Sequence, residues 1–219
     1  MPSKSFKKFE DKLLVDVDRI IESHATLNHD GGGRRGLGHL TRSGVLMLCA
    51  AWELYLEEVL VEGVEYFVAK FNSPKLFPKS VQKELASFVK ESKHDLKPLE
   101  LAGDGWKTLY RDHVRNTLNG FHTPKSVNLD LLFKKFLGID HFSAWWTLGD
   151  AEIDRFVSIR GDVAHKGRDA RYVTISNLKE YLIKIKQTAL DVDNELTAYL
   201  CQVTPGTERP WRKRVNGVD

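Results

Sequence analysis

The stretch LKEYLIKIKQTALDVDNELTAYLCQV at residues 178–203 carries the most regular apolar pattern of the chain. Its apolar positions are separated by alternating steps of four and three residues, at Leu178, Leu182, Ile185, Ala189, Val192, Leu196, Tyr199 and Val203. Such steps follow the 3.6-residue period of an α-helix and form one continuous seam of seven-residue repeats. The stretch therefore predicts a long helix, whose apolar seam we expect to pack inside the monomer.

The same helical period recurs through the rest of the chain, between breaks that contain glycine and proline. Further helices are predicted at residues 5–27, 40–71, 80–92, 106–121, 129–138 and 150–165. Strand-like runs are few. We therefore predict an all-α helical bundle in a single domain over residues 1–204, followed by a basic and mobile tail at residues 205–219.

Composition restricts the class of protein only loosely. The 219 residues include 33 Lys and Arg and 30 Asp and Glu, and a net charge of +3 neither demands nor excludes a nucleic-acid partner. Cys49 and Cys201 lie in apolar helical segments, which predicts buried free thiols in a reducing cytoplasm. The longest uncharged apolar run, GVLMLCAAW at residues 44–52, is too short to span a bilayer, so no membrane partner is expected.

The glycine-rich stretch GGGRRGLG at residues 31–38 predicts a flexible loop. It differs from a phosphate-binding loop because no strand precedes it and no Gly-Lys-Ser/Thr follows it. Its Arg34 and Arg35 are solvated charges and candidate RNA contacts. No histidine lies at metal-ligand spacing from Cys49 or Cys201, so neither a metal site nor a cofactor is predicted.

The segment ERPWRKR at residues 208–214 holds four basic residues around Trp211. Arginines such as Arg212 can neutralise phosphates, and a tryptophan can stack on a base. The segment is therefore a candidate RNA contact. An ordinary disordered tail is the alternative interpretation, because short basic clusters are common near chain ends.

The segment SIRGDVAHKG at residues 158–167 combines side chains that can cleave RNA. Arg160 follows the apolar Phe156 by four residues, which places it on the apolar face of the predicted helix, where a guanidinium needs an anion or a wet cleft. His165 lies five residues further on, about 140° around an ideal helix, and Asp162 adds a carboxylate. Arginine for phosphate charge and histidine for proton transfer suffice to cleave RNA through its own 2′-hydroxyl.

The residues alone leave the arrangement of this pair open. The two side chains can converge if the helix ends between them, or if a two-fold interface brings two copies together. Alternatively, Arg160 pairs with a buried acid and His165 caps the helix C-terminus. The next basic residues, Lys166 and Arg168, are further candidate RNA contacts.

Arg160, four intervening residues and His165 resemble the Arg-x4–6-His pattern of the HEPN superfamily, often found in the local form RxxxAH followed by glycine. The segment GHLTRSGVLMLCAAWELYLEEVL at residues 38–60 is similar to the long early helix of prokaryotic HEPN proteins of the RiboL-PSP type. The segment FHTPKSVNLDLLFKKFLGID at residues 121–140, with the tryptophans that follow it, is similar to the region that precedes the motif there. The resemblance covers roughly residues 38–200.

This resemblance implies a HEPN-like helical bundle with additional helices, which dimerises through the face that bears the motif and cuts RNA without a metal. Arg160 and His165 are the catalytic residues that it implies. A polar residue often follows the arginine in active members. Gly161 stands there in this chain, and Asp162 is the candidate substitute.

Two hypotheses follow from the residues and the resemblance. The first is a metal-independent endoribonuclease that works as a cytoplasmic homodimer on RNA in a toxin–antitoxin or phage-defence system, with an antitoxin or a neighbouring defence protein as partner. It leaves 2′,3′-cyclic phosphate ends. The second is a non-catalytic HEPN module that binds RNA, a nucleotide or a protein partner through the same cleft.

Overall fold

A computed structural model describes residues 1–28 and 36–214, and those ranges contain no β-strand. The α-helices are α1 (Lys4–Lys8), α2 (Val15–Leu27), α3 (Gly38–Lys70), α4 (Lys79–Lys90), α5 (Gly105–Leu118), α6 (Ser126–Leu137), α7 (Asp150–Lys166) and α8 (Ile175–Val203). A π-helical segment (Phe9–Leu13) lies between α1 and α2, and 3-10 turns lie at Pro74–Leu76, Lys97–Leu101, Phe142–Trp145 and Gly167–Asp169. The predicted all-α fold is confirmed. The π-helical segment interrupts the first predicted helix, and the others begin and end within three residues of their expected bounds.

The long helix α3 is the centre of the bundle, because α1, α2, α5, α6, α7 and α8 all pack against it. Its fully buried side chains include Trp52, Tyr55 and Phe67. Each large aromatic side chain removes a large apolar area from water, which is worth about 25 cal/mol for every Å² buried. No helix of the described ranges is both long and apolar enough to cross a membrane.

The helix α8 runs parallel to α3 and in register with it. The hydroxyl of Tyr55 on α3 donates a hydrogen bond of 2.9 Å to the backbone oxygen of Ala189 on α8. Eleven residues earlier on each helix, Gly44 faces Leu178, and a Cβ at Gly44 would clash with that leucine side chain. The predicted seam of α8 therefore packs inside the monomer, and a glycine on α3 permits the close approach.

The helix α7 lies antiparallel to α8 and packs against both α3 and α8. Lys184 of α8 forms an ion pair of 2.7 Å with Glu152 of α7, and the rings of Tyr181 and Phe156 lie 5.3 Å apart. Asp154 of α7 accepts hydrogen bonds of 2.7 and 2.8 Å from the backbone nitrogen and the hydroxyl of the first residue of α6. These contacts fix the helix on which the Arg/His motif lies.

Residues 205–214 differ from the mobile tail that the sequence predicted, because they pack back onto α8 and the N-terminal residues. The Trp211 ring is 6% exposed, and its indole nitrogen donates to the backbone oxygen of Asp193 at 2.9 Å. The backbone nitrogen of Arg212 donates to the oxygen of Met1 at 3.0 Å, and Arg214 forms an ion pair with Glu10. A single apolar core therefore extends from the first helix to this segment.

The two cysteines are both free thiols. Cys49 is fully buried, as expected, whereas Cys201 is only partly buried. Burial raises the pKa of the Cys49 thiol to about 12. Cys49 therefore stays protonated near neutral pH and is no nucleophile, because the thiolate is the reactive form.

Asp193 is a fully buried acid at the junction of α8, the N-terminal residues and the segment around Trp211. Its Oδ2 accepts a weak hydrogen bond of 3.3 Å from the backbone nitrogen of Ser3, and its Oδ1 has no hydrogen-bond partner in the described part of the chain. Burial raises the pKa of this carboxyl to about 6, and the nearby carboxylates of Glu62 and Glu10 act in the same direction. The carboxyl of Asp193 therefore binds its proton more tightly in the folded protein than in the unfolded chain.

We expect Asp193→Asn to stabilise the protein at neutral pH. The pKa of Asp193 is higher in the folded than in the unfolded chain, so its favourable contribution is complete below about pH 4 and is lost as the pH rises through about 6. Each pKa unit corresponds to about 1.4 kcal/mol, and a neutral amide should recover about 1–3 kcal/mol at pH 7.5. Urea unfolding at pH 7.5 and at pH 4 measures this gain, which should vanish at pH 4. An equal effect at both pH values would contradict the expectation.

Candidate active site

The helix α7 continues without interruption through the whole Arg/His motif. It ends at Lys166, and the next residue, Gly167, adopts a positive φ of 55°. Arg160 and His165 therefore lie on one regular helix, about 140° apart around its axis and about 7.5 Å apart along it. The helix does not end between the two residues, so one chain on its own does not bring their side chains together.

Arg160 is partly buried where α7 packs against α3. It lies close enough to Cys49 and Glu53 of α3 to lower the pKa of both side chains, although burial raises each pKa more strongly. Among the residues that the structure describes, the guanidinium of Arg160 has no hydrogen-bond partner and no ion-pair partner within 4 Å. Its guanidinium is thus held at a helix seam without a direct anionic partner, although a carboxylate lies nearby.

Glu53 belongs to a small group of titratable side chains beside Arg160 that the sequence analysis did not identify. Burial raises the pKa of Glu53, and Arg160 and His122 oppose that rise. Burial and the charge of Glu53 likewise raise the pKa of Glu57, one turn further along α3, and His122 again lowers it. α3 therefore places the carboxylate of Glu53 near Arg160 of α7, and the connection before α6 places His122 near Glu53 and Glu57.

A signal for this group is present in the sequence, although it is weak. Glu53 is the first acidic residue after the apolar run of residues 44–52, and Glu57 follows at the spacing of one helical turn. That pattern indicates two carboxylates on one side of α3. It does not indicate that α7 will bring Arg160 to them, because that contact depends on how the two helices pack.

The carboxylate of Asp162 is paired with a lysine of the same helix. It accepts a hydrogen bond of 2.9 Å from the ammonium of Lys166, in an exposed pair one turn apart. Asp162 follows Arg160 by two residue positions, which corresponds to about 200° around the helix axis. Asp162 therefore lies on a different side of α7 from Arg160.

His165 and the basic residues after it lie on the surface. The side chains of His165, Lys166 and Arg168 are exposed, and Arg168 belongs to the 3-10 turn that follows α7. The imidazole of His165 makes no hydrogen bond to a described residue. It is consequently accessible to a substrate, or to a second copy of the chain.

The other predicted RNA contacts differ from one another in their exposure. The ring of Trp211 is buried and its indole nitrogen is bonded to α8, so in this conformation it cannot stack on a base, which corrects the sequence-based assignment. The Arg212 side chain is exposed beside it. Arg34 and Arg35 lie outside the described residues. No group of three or more His, Cys, Asp or Glu side chains within residues 1–28 and 36–214 could hold a metal ion.

Comparison with known proteins supports the resemblance over most of the chain. A family model described as RiboL-PSP-HEPN matches residues 11–198. No curated protein and no solved structure matches the chain. The matched residues include the whole of α3 and α7, and therefore both Arg160 and His165.

We expect Gly161→Ala to stabilise the protein. Gly161 lies inside α7, and no described atom lies within 4 Å of the position that a Cβ would take there. Replacing glycine by alanine inside an exposed helix gains about 0.5–1 kcal/mol, which should raise the melting temperature by about 1–4 °C. Differential scanning calorimetry measures this change.

Gly44→Ala is the matched control for this substitution. A methyl group at Gly44 clashes with Leu178, so the same change should lower the melting temperature. A fall in the melting temperature of Gly161→Ala, comparable to that of Gly44→Ala, would mean that the face of α7 at Gly161 is covered.

Proposed function

Because the chain belongs to the RiboL-PSP-HEPN family, we propose that it is a metal-independent endoribonuclease whose active site is formed by two copies of the chain. The observation that supports this most directly is the state of Arg160. A half-buried guanidinium that has no hydrogen bond or ion pair among the described residues is poised for an anion from outside. An RNA phosphate supplies that anion, with two oxygens in the geometry that arginine binds best.

The helical geometry is the reason for a second copy. Arg160 faces α3, whereas His165 lies about 140° away on the exposed side of α7. A two-fold axis beside α7 would place His165 of the partner subunit opposite Arg160. Met47 and Leu54, which are exposed on α3 near Glu53, would be covered by the same contact.

The proposed reaction is a transfer of the phosphoryl group within the RNA. The ribose 2′-oxygen attacks the adjacent phosphorus while one His165 imidazole accepts the hydroxyl proton. Arg160 stabilises the negative charge that develops on the non-bridging oxygens. The imidazolium that forms then gives this proton to the departing 5′-oxygen. The products are a 2′,3′-cyclic phosphate and a 5′-hydroxyl.

Glu53 fits this site as a residue that holds Arg160 in position. The Glu53 carboxylate lies near the guanidinium without contacting it directly. Its negative charge partly offsets the positive charge of Arg160 at the edge of the apolar core. It leaves the donor groups of the guanidinium available for phosphate. Asp162, paired with Lys166, has no part in the reaction as we propose it.

A second function is favoured by one observation, the absence of a side chain at position 161. The space around Gly161 is open, so nothing in the described structure replaces the polar residue that often follows the arginine. In this second function, the same cleft binds RNA, a nucleotide or a protein partner and catalyses no cleavage. A wild-type chain that binds RNA and leaves it intact would favour this second function.

The biological setting that we propose is a conflict system, either toxin–antitoxin or phage defence. It rests on the family resemblance alone. An antitoxin or a neighbouring defence protein would be the partner that keeps the nuclease inactive, and the chain encoded beside this one is the first place to look for it.

Mixing two inactive variants tests whether the site is shared between subunits. Arg160→Ala and His165→Ala should each lose about 10²- to 10⁴-fold of the cleavage rate. A dimer that contains one subunit of each kind has one intact pair of Arg160 and His165, so random pairing should restore about a quarter of the wild-type activity. Different affinity tags on the two variants allow the mixed dimers to be isolated, and cleavage of a fluorescent single-stranded RNA is measured.

The control for this mixture is His165→Ala paired with a differently tagged copy of itself, which should stay inactive. Mixed dimers that form and yet cleave no faster than this control would place the whole site in one chain. A His165→Ala variant as active as the wild type would show that the assigned residues are wrong.

Chelation tests the proposed chemistry itself. Because the reaction needs only imidazole and guanidinium groups, cleavage should continue unchanged in EDTA at millimolar concentration. The measurement is the initial rate of RNA cleavage with and without chelator at constant ionic strength. Complete loss of activity, restored by one divalent cation and not by others, would overturn the metal-independent mechanism.

A further inference from the structure

We propose that Tyr172 and Arg42 form a subsite that binds one unpaired nucleotide of the RNA, at the end of the bundle where His165 lies. The proposal deepens the function given above and rests on RNA being the ligand. In this subsite the base stacks on the Tyr172 ring, and Arg42 contacts a phosphate of the same strand.

Tyr172 lies in the short connection between α7 and α8, seven residues after His165. Ala170 and Val173, on either side of it in this connection, are buried, and Thr174 caps the first turn of α8 with a reciprocal pair of hydrogen bonds. The connection is therefore anchored at both sides of Tyr172. Its ring is held in place instead of moving with a loose loop.

The ring of Tyr172 and the guanidinium of Arg42 meet over Gly38, the first residue of α3. The position that a Cβ would take at Gly38 lies 3.2 Å from Cε2 of Tyr172 and 3.1 Å from Nη1 of Arg42. Both side chains thus approach the same point of the α3 backbone, where a Cβ would be in tighter contact with them than ordinary van der Waals packing allows. An aromatic face and a guanidinium side by side match the base and the phosphate of one nucleotide.

Exposure distinguishes Tyr172 from the other large aromatic side chains. Its residue surface is 39% exposed, which is more than that of any other Phe, Trp or Tyr in the described ranges. The other rings are buried or partly buried in the core, as Trp211 is. An exposed ring beside basic residues is the arrangement with which proteins bind single strands.

The charges around the ring favour an anionic strand. Residues 36–52, at the start of α3, contain Arg42 and no acidic residue. The connection adds Arg168 and Arg171 against the single carboxylate of Asp169. This end of the bundle is therefore positive although the whole chain has a net charge of only +3, which attracts phosphates and steers a strand towards His165.

Binding to a non-cleavable RNA tests the subsite separately from catalysis. The probe is a fluorescein-labelled twelve-nucleotide oligouridylate whose 2′-hydroxyls are all methylated, and fluorescence anisotropy gives the dissociation constant. Tyr172→Ala should weaken binding about 5- to 100-fold, whereas Tyr172→Phe keeps the ring and should bind within about twofold of the wild type. Arg42→Gln should weaken binding and reduce the slope of log K against log salt concentration by about 0.7.

The matched charge control is Lys75→Gln. Lys75 is exposed in the 3-10 turn that follows the C-terminal end of α3, about 40 Å from Arg42 along that helix. This variant should bind RNA as the wild type does. An RNA duplex of the same length should bind more weakly than the single strand, because its base faces are covered.

Three outcomes would overturn the subsite. One is that Tyr172→Ala and Arg42→Gln bind like the wild type while their melting temperatures are unchanged. Another is that Tyr172→Phe binds as weakly as Tyr172→Ala, which would assign the effect to the hydroxyl. The third is that the wild type binds no single-stranded RNA.

The outcome for the subsite can be separated from the outcome for the proposed nuclease. If the wild type cleaves unmodified RNA and Tyr172→Ala does so with the same half-saturating RNA concentration, the subsite is wrong and the nuclease remains. If binding depends on Tyr172 and no RNA is cleaved, the subsite is supported and the catalytic proposal fails.

Discussion

The close approach of α8 to α3 is the constraint on which the rest of the structure depends. Two contacts eleven residues apart, Gly44 with Leu178 and Tyr55 with Ala189, hold the helices parallel and in register. Because α7 packs antiparallel to α8 and also touches α3, its position follows from that pair. The placement of Arg160 at the seam between α7 and α3 is thus a consequence of how α3, α7 and α8 pack together.

The site itself combines a rigid helix with an incomplete set of partners. The buried apolar residues of α7 fix this helix against the core. Arg160 lies on the same side of α7, yet its guanidinium has only a nearby carboxylate and no hydrogen bond or ion pair among the described residues. A buried or half-buried charge without a bonded partner reduces stability, and such groups are concentrated where proteins bind ligands. The arrangement is physically reasonable for a protein that meets an anion or a second subunit at this face.

The helices could be predicted from the sequence because their periodicity is local, and the apolar face of residues 150–165 placed Arg160 on the core side correctly. The neighbours of Arg160 could not be predicted, because Glu53 and His122 are more than thirty-five residues away in sequence and reach it only through helix packing. The same reason explains the wrong expectation for Trp211. Proline, glycine and basic residues around it indicate a loose tail, whereas its ring fills a gap beside Asp193 that no local pattern reveals.

The packing of residues 211–214 against the first helical turns also determines when the fold can be completed during synthesis. The segment that contacts Met1 and Glu10 is translated about two hundred residues after them. Until it leaves the ribosome, α1 lacks part of its binding surface, and the chain can hold only a partial core. A nascent chain of this protein would therefore reach its native state only after translation of α8 and residues 211–214, and products that lack those residues would lack their contacts with Met1 and Glu10.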